Sequence, residues 1–168
     1  MARSKKRLQN MTPSFDIGAI LRNQRVSLVP FHWEHPEAMD LRPHDRMYYD
    51  CIPDFREYLK LYMASGTALT AVVPEGMACC FGINPIAAGV AQGWMLTSHL
   101  VDRYPVSLTR SATRYFNFIA AETQMKRLQL TVNAADVVAV RWANALRFNR
   151  EDVLRAYGAD YIMFARLY

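Results

Sequence analysis

Anion contact and metal binding are the chemistries that the residue types and spacings of this chain suggest. Ser107 opens a helical stretch, 107–122, where backbone amides and the helix dipole could meet a phosphate, although capping the helix is reason enough for a serine there. The polar segment before it, 99–106, contains no glycine and carries Pro105, so the bare turn amides that cradle phosphates are scarce. His32-x-x-His35 has a spacing that could hold a metal. Neither histidine, nor His44 or His99, has a cysteine at zinc-ligand distance, so a loop is expected there and no metal. Cys51, Cys79 and Cys80 are odd in number and two are adjacent, which predicts reduced, buried thiols and no disulfide framework. Arg3, Lys5, Lys6 and Arg7 could neutralise a phosphate backbone or dock on an acidic protein surface.

Elements must position those groups, and composition bounds what the elements can be. The 168 residues are 52% apolar, 12% aromatic and 21% charged, enough to bury a substantial core in one globular domain. No apolar run approaches the roughly 20 residues of a membrane span, so no membrane partner is expected. The formal charge of +5 is carried by the first 25 residues, where Arg3, Lys5, Lys6, Arg7, Arg22 and Arg25 face only Asp16; the rest is balanced. Residues 1–24 therefore read as a basic arm that can anchor but cannot fold alone, and 25–168 as the domain. DNA contact by the arm would be weak, non-specific and salt-sensitive.

Hydrophobic periodicity supplies the order. Residues 25–30 alternate as a first strand ended by Pro30; 31–50 read as loop with a short helix at 36–41; 53–66 read as a helix with Pro53 in its first turn and Gly66 as its stop. Three strands, 67–73, 77–83 and 90–98, form an antiparallel meander turned at 74–76 and at Asn84-Pro85. The helix 107–122, a strand at 127–132, a helix at 137–146 capped by Asn133 or Asp136, and a closing hairpin of 152–156 with 161–167 complete the chain. The predicted class is α+β: a mixed, mostly antiparallel twisted sheet flanked by helices.

That order, with Val132, Asp136-Val-Val-Ala139, Trp142-Ala143 and Leu146-Arg147-Phe148, resembles a GNAT (Gcn5-related N-acetyltransferase) domain from first strand to last. In that family the strand 93–98, the loop and the following helix would form the acyl-CoA cradle, which implies Met95, Leu96, Thr97, Ser107 and Arg110 as its vestige here. Three departures stand against catalysis. Ala143 occupies the position where many members carry a general-acid tyrosine, the loop 100–106 replaces the glycine-bearing pyrophosphate loop, and the strand 90–96 lacks the carboxylate base. A narrower likeness over about residues 70–168 is to the GNAT-like internal virion protein A family of short-tailed bacteriophages, carried by Phe81-Gly82-Ile83-Asn84 and Gly93-Trp94-Met95-Leu96-Thr97-Ser98. It implies a non-catalytic virion or assembly protein with no cofactor and no catalytic residue. Such a protein would be made in the host cytoplasm and bind other virion proteins in a symmetric assembly through Arg3, Lys5, Lys6 and Arg7. The alternative implied by the same fold is an active N-acetyltransferase acting on a host protein or small amine. Acetyl-CoA would then lie where the Trp94 strand splays from the Arg127 strand, its carbonyl near the amides of 95–97.

Overall fold

The structure, a computed structural model, describes residues 25–168 other than Gly66 and Tyr157. The basic arm with Arg3, Lys5, Lys6 and Arg7, and the expected helix stop at Gly66, lie outside the described residues. Among the described residues a seven-stranded sheet is built from β1 (Ser27–Pro30), β2 (Leu69–Val73), β3 (Gly76–Ala87), β4 (Val90–Thr97), β5 (Arg127–Asn133), β6 (Asn149–Ala156) and β7 (Ala159–Leu167), ordered β1-β2-β3-β4-β5-β7-β6. Every pairing is antiparallel except β4 with β5. That parallel pair requires a crossover, and the 19-residue helix α3 (Pro105–Thr123) supplies it.

Side-chain alternation along the strands divides the core between two faces. Met95 joins Phe81, Leu108, Phe116 and Leu128 under α3, together with Ala143 and Leu146 from the region of α4 (Val137–Ala145). Trp94 and Leu96 point the other way, into a second cluster with Phe31, Phe55, Leu59 and Tyr62. That cluster lies under α1 (Pro43–Cys51) and α2 (Phe55–Ala64). Strand β4 is thus the wall shared by both cores.

Several elements depart from what the sequence predicts. Residues 43–51 form α1, where only loop is expected; Pro43 at its first turn with Asp45 behind it is a helix-start signature hidden by the neighbouring prolines and histidines. Pro53 does not open α2. It holds Ile52 extended, which ends α1, and α2 starts after Asp54 in the left-handed region. The Asn84-Pro85 turn is instead an irregularity within β3, where the register shifts between Pro85 and Ala87 and the missing proline N–H is tolerated. The chain reverses at Gly89, whose φ is +73°.

Arg147 marks one strained position. It follows α4 with φ +64°, while Phe148 N donates to Ala143 O at 3.1 Å to close the helix end. This is the site where a glycine is favoured. Its side chain is exposed, so Arg147→Gly is expected to raise stability by about 0.5–1 kcal/mol, the left-handed penalty less the extra freedom glycine has when unfolded. Chemical denaturation of the two proteins decides this; a lower midpoint for the variant refutes it.

Candidate active site

The parallel pairing of β4 with β5 covers only Val90 with Arg127, Ala91 with Leu128 and Gln92 with Gln129. Beyond Gln92 the strands part, although each continues, β4 to Thr97 and β5 to Asn133. Thr97 turns both backbone groups away from β3: its N–H donates to Asp45 Oδ2 at 3.1 Å, and its carbonyl accepts from Arg42 N at 2.9 Å. The β3–β4 register is regular through this stretch, so alternation turns the N–H and C=O of Met95 the same way, into the gap that β5 has vacated. A strand edge of this kind offers one donor and one acceptor to a ligand without melting any helix or sheet.

A cavity of about 340 Å³ fills the gap and opens to both layers of the domain. On the α3 side it is walled by Leu108, Ser111, Phe116, Ala139, Trp142 and Ala143; on the α1–α2 side by Asp45, Tyr48, Phe55, Tyr62 and Trp94. Two reactants can therefore approach from opposite faces of the sheet and meet beside Met95. Most of the wall is apolar; its charged groups are Arg42 and Asp45 at the start of α1, Asp136 at the start of α4, and Asp102 from the segment before α3.

Asp45 is the titratable group best placed for chemistry. It sits in the first turn of α1, where Oδ2 accepts from the Thr97 amide and from the Thr97 hydroxyl. Burial raises its pKa to about 6, with the Thr97 hydrogen bonds opposing, Asp136 adding to the rise and Arg42 lowering it. A carboxyl titrating there is ionised at neutral pH yet more basic than an ordinary aspartate, the combination that suits a general base. Asp136 serves the fold instead, its Oδ1 capping α4 by accepting from Ala139 N at 3.0 Å. Asn133 accepts from Ala135 N at 2.9 Å and does not cap the helix. Cys79 reaches the cavity wall, but burial pushes its thiol pKa well up and makes it a poor nucleophile. Cys80 is likewise pushed up to about 12 by burial.

Of the cradle residues read from sequence, Met95, Leu96 and Thr97 line the cavity, whereas Ser107 and Arg110 do not. Ser107 is not the cap of α3. The helix begins two residues earlier at Pro105, with Tyr104 at the capping position, and Leu108 N already bonds Tyr104 O at 3.0 Å. The amides of Val106 and Ser107 remain first-turn donors without an intrahelical partner. Residues 99–103 coil into a 3-10 helix, with Ser98 Oγ accepting from Leu100 N at 3.3 Å. Met95 and the apolar slot beside Ala143 form one part of the cavity wall, and Pro105 at the start of α3 borders another. No group of three or more metal-ligating side chains forms among the described residues. His35 Nδ1 instead lies 2.7 Å from Thr70 Oγ1.

The chain superposes on solved acetyltransferases over most of its length. A GNAT acetyltransferase from Bacillus anthracis aligns with TM-score 0.62 at 14% identity, covering 88% of this chain and 97% of that one. The fold is that of the GNAT acetyltransferases. The ribosomal-protein alpha-N acetyltransferase RimL, solved with coenzyme A, aligns at 0.59 with 14% identity over 86% of this chain and 95% of that one. The microcin self-immunity acetyltransferase MccE, solved with acetyl-CoA and AMP, aligns at 0.63 with 11% identity over 87% and 94%. No family model and no curated sequence matches the chain.

These GNAT neighbours overturn the reading of the chain as a non-catalytic phage virion or assembly protein. They are acetyltransferases, and no finding supports the likeness to internal virion proteins. Two of the three departures also weaken in the folded chain. The carboxylate missing from β4 arrives from α1 as Asp45, hydrogen-bonded to the end of that same strand. Ala143 does lack a proton donor, but a general acid is worth only about 10²–10⁴ in rate where one acts, and the alanine leaves the slot open. The glycine-free loop stands as a real departure.

Proposed function

We propose that this chain is an acyl-CoA-dependent N-acyltransferase that moves an acyl group directly from the thioester to an amine. The observation that carries the reading is the parting of β4 from β5 after Gln92, which sets the Met95 backbone groups and the Asp45 carboxylate around one cavity reached from both faces. The acyl-CoA supplies an activated thioester carbonyl. The Met95 N–H polarises that carbonyl and stabilises the negative charge that develops on its oxygen. Leu108, Phe116, Ala143 and Leu146 wall the acyl slot and keep water from it. On the opposite side Asp45 takes a proton from the incoming ammonium and so frees its lone pair; the nitrogen attacks the carbonyl carbon, the C–N bond forms as the C–S bond breaks, and the proton left on the nitrogen passes through water to the departing CoA thiolate. Thr97 holds that carboxylate in place through two hydrogen bonds. The amides of Val106 and Ser107 at the start of α3 are the groups available to the phosphates.

The test is a thermal melt titrated with acetyl-CoA. A ligand confined to the folded state raises the melting temperature with the logarithm of its concentration, about 2.7 kcal/mol at a hundred times Kd. A melting temperature unmoved at millimolar acetyl-CoA rejects the reading. Isothermal calorimetry with free CoA then separates the acyl end from the nucleotide end, and the slot geometry predicts tighter binding of the acylated form.

A further inference from the structure

Resting on the acyltransferase reading, we infer that the acceptor is a small zwitterionic amine, an amino acid or close analogue with an aromatic or bulky apolar side chain, its carboxylate held by Arg42 and its amine presented to Asp45. Arg42 and Asp45 lie three residues apart at the start of α1, and both face the cavity. The Arg42 side chain is only 15% exposed, and its Nη2 stands 3.8 Å from Asp136 Oδ1, outside hydrogen-bond length. Asp136 Oδ1 is already engaged in capping α4. The planar guanidinium fork is thus left with donors for a second carboxylate, the geometry in which arginine binds best.

Charge and shape agree with this. A lone ammonium would leave Arg42 with no new partner, and a lone carboxylate would be repelled by Asp45; a ligand carrying both groups close together satisfies each. The wall behind them is aromatic. Tyr48 follows Asp45 by one turn of α1, Phe55 meets Tyr48 edge-on at 5.5 Å, and Tyr62 stacks on Trp94 at 4.8 Å, all bordering the cavity. Such a surface accepts a ring or branched chain.

The experiment measures CoA release from acetyl-CoA with a thiol reagent on the full chain, using phenylalanine, phenylalaninamide, 2-phenylethylamine and a lysine-containing peptide as acceptors. Phenylalanine is expected to exceed 2-phenylethylamine and the amide in kcat/KM by about tenfold or more, the scale of one charge-assisted contact in a desolvated site. Arg42→Gln should erase that preference through KM while Arg42→Lys keeps part of it. The wild-type comparison stands even if Arg42→Gln folds poorly, since Asp136 would lose its cation. Equal or better turnover of 2-phenylethylamine overturns the zwitterion proposal, as does exclusive use of the peptide. So does binding of acetyl-CoA by calorimetry without acetylation of any of the four. Absence of acetyl-CoA binding instead removes the acyltransferase reading and this proposal with it.

Discussion

Asp45→Asn is expected to abolish acyl transfer, lowering kcat/KM by about 10²–10⁴-fold, while leaving the protein folded and above pH 6 at least as stable as the parent. The activity arm follows from geometry. Asp45 is the cavity carboxylate held at the end of β4 by Thr97, whereas Asp136 caps α4, and asparagine keeps an acceptor for Thr97 but cannot take a proton. The stability arm follows from the sign of its pKa shift. The folded value of about 6 lies above the ordinary value of 3.8, so between these the folded state binds more protons. Stability therefore falls as pH rises through that window and stays at its lower level above it. Removing the ionisable group abolishes that slope and recovers on the order of 2 kcal/mol at pH 8. The parent's kcat/KM should rise with pH around 6, shaped by burial and by the charges facing Asp45, Arg42 and Asp136. Melting curves and rates of both proteins from pH 4 to 8 decide the matter. A variant that loses stability at pH 8, or one that keeps its activity, refutes the assignment.

That a single helix-borne aspartate matters this much explains what sequence can and cannot show. The strands are legible because β2, β3 and β5 alternate cleanly or run apolar between turn residues, and the Val132 to Phe148 stretch carries the acetyltransferase resemblance on framework positions alone. Met95 to Thr97 are legible for the same reason, since a backbone contact depends on strand position and not on side-chain identity. Asp45 is not legible. It lies 52 residues from Thr97 in the chain, on a helix masked by Pro36, Pro43, His35 and His44, and nothing local signals that a carboxylate there will meet the end of β4. Searching β4 alone for a base misses it: the strand fixes where the base must act, while a separate layer delivers it. Ser107 fails in the opposite way. Serine is a good cap, but Pro105 is a better first-turn residue and moves the helix start two positions.

Gly82→Ala is expected to destabilise the fold by about 1–3 kcal/mol and to disturb the aromatic side of the cavity at the same time. Gly82 pairs across the sheet with Trp94, and an added Cβ would stand 2.8 Å from Trp94 Nε1 and 3.1 Å from the Ala68 Cα. Neither neighbour can yield cheaply. Ala68 Cα is backbone beside β2, and the indole is pinned between Tyr62, stacked at 4.8 Å, and Phe31, edge-on at 5.2 Å. Its Nε1 is buried without a hydrogen-bond partner among the described residues, so the ring is placed by shape and not by a polar contact. The methyl must therefore push the indole toward the cavity it borders. Two readouts separate this from a generic loss of stability. Denaturant unfolding should show a lowered midpoint with unchanged slope. Binding should weaken for the amine acceptor and hold for acetyl-CoA, because Met95 and the acyl slot lie on the other face of β4. A variant as stable as the parent would mean that the indole is not fixed by Gly82. A variant that loses acetyl-CoA instead would mean that the two faces of the cavity are not separate binding sites.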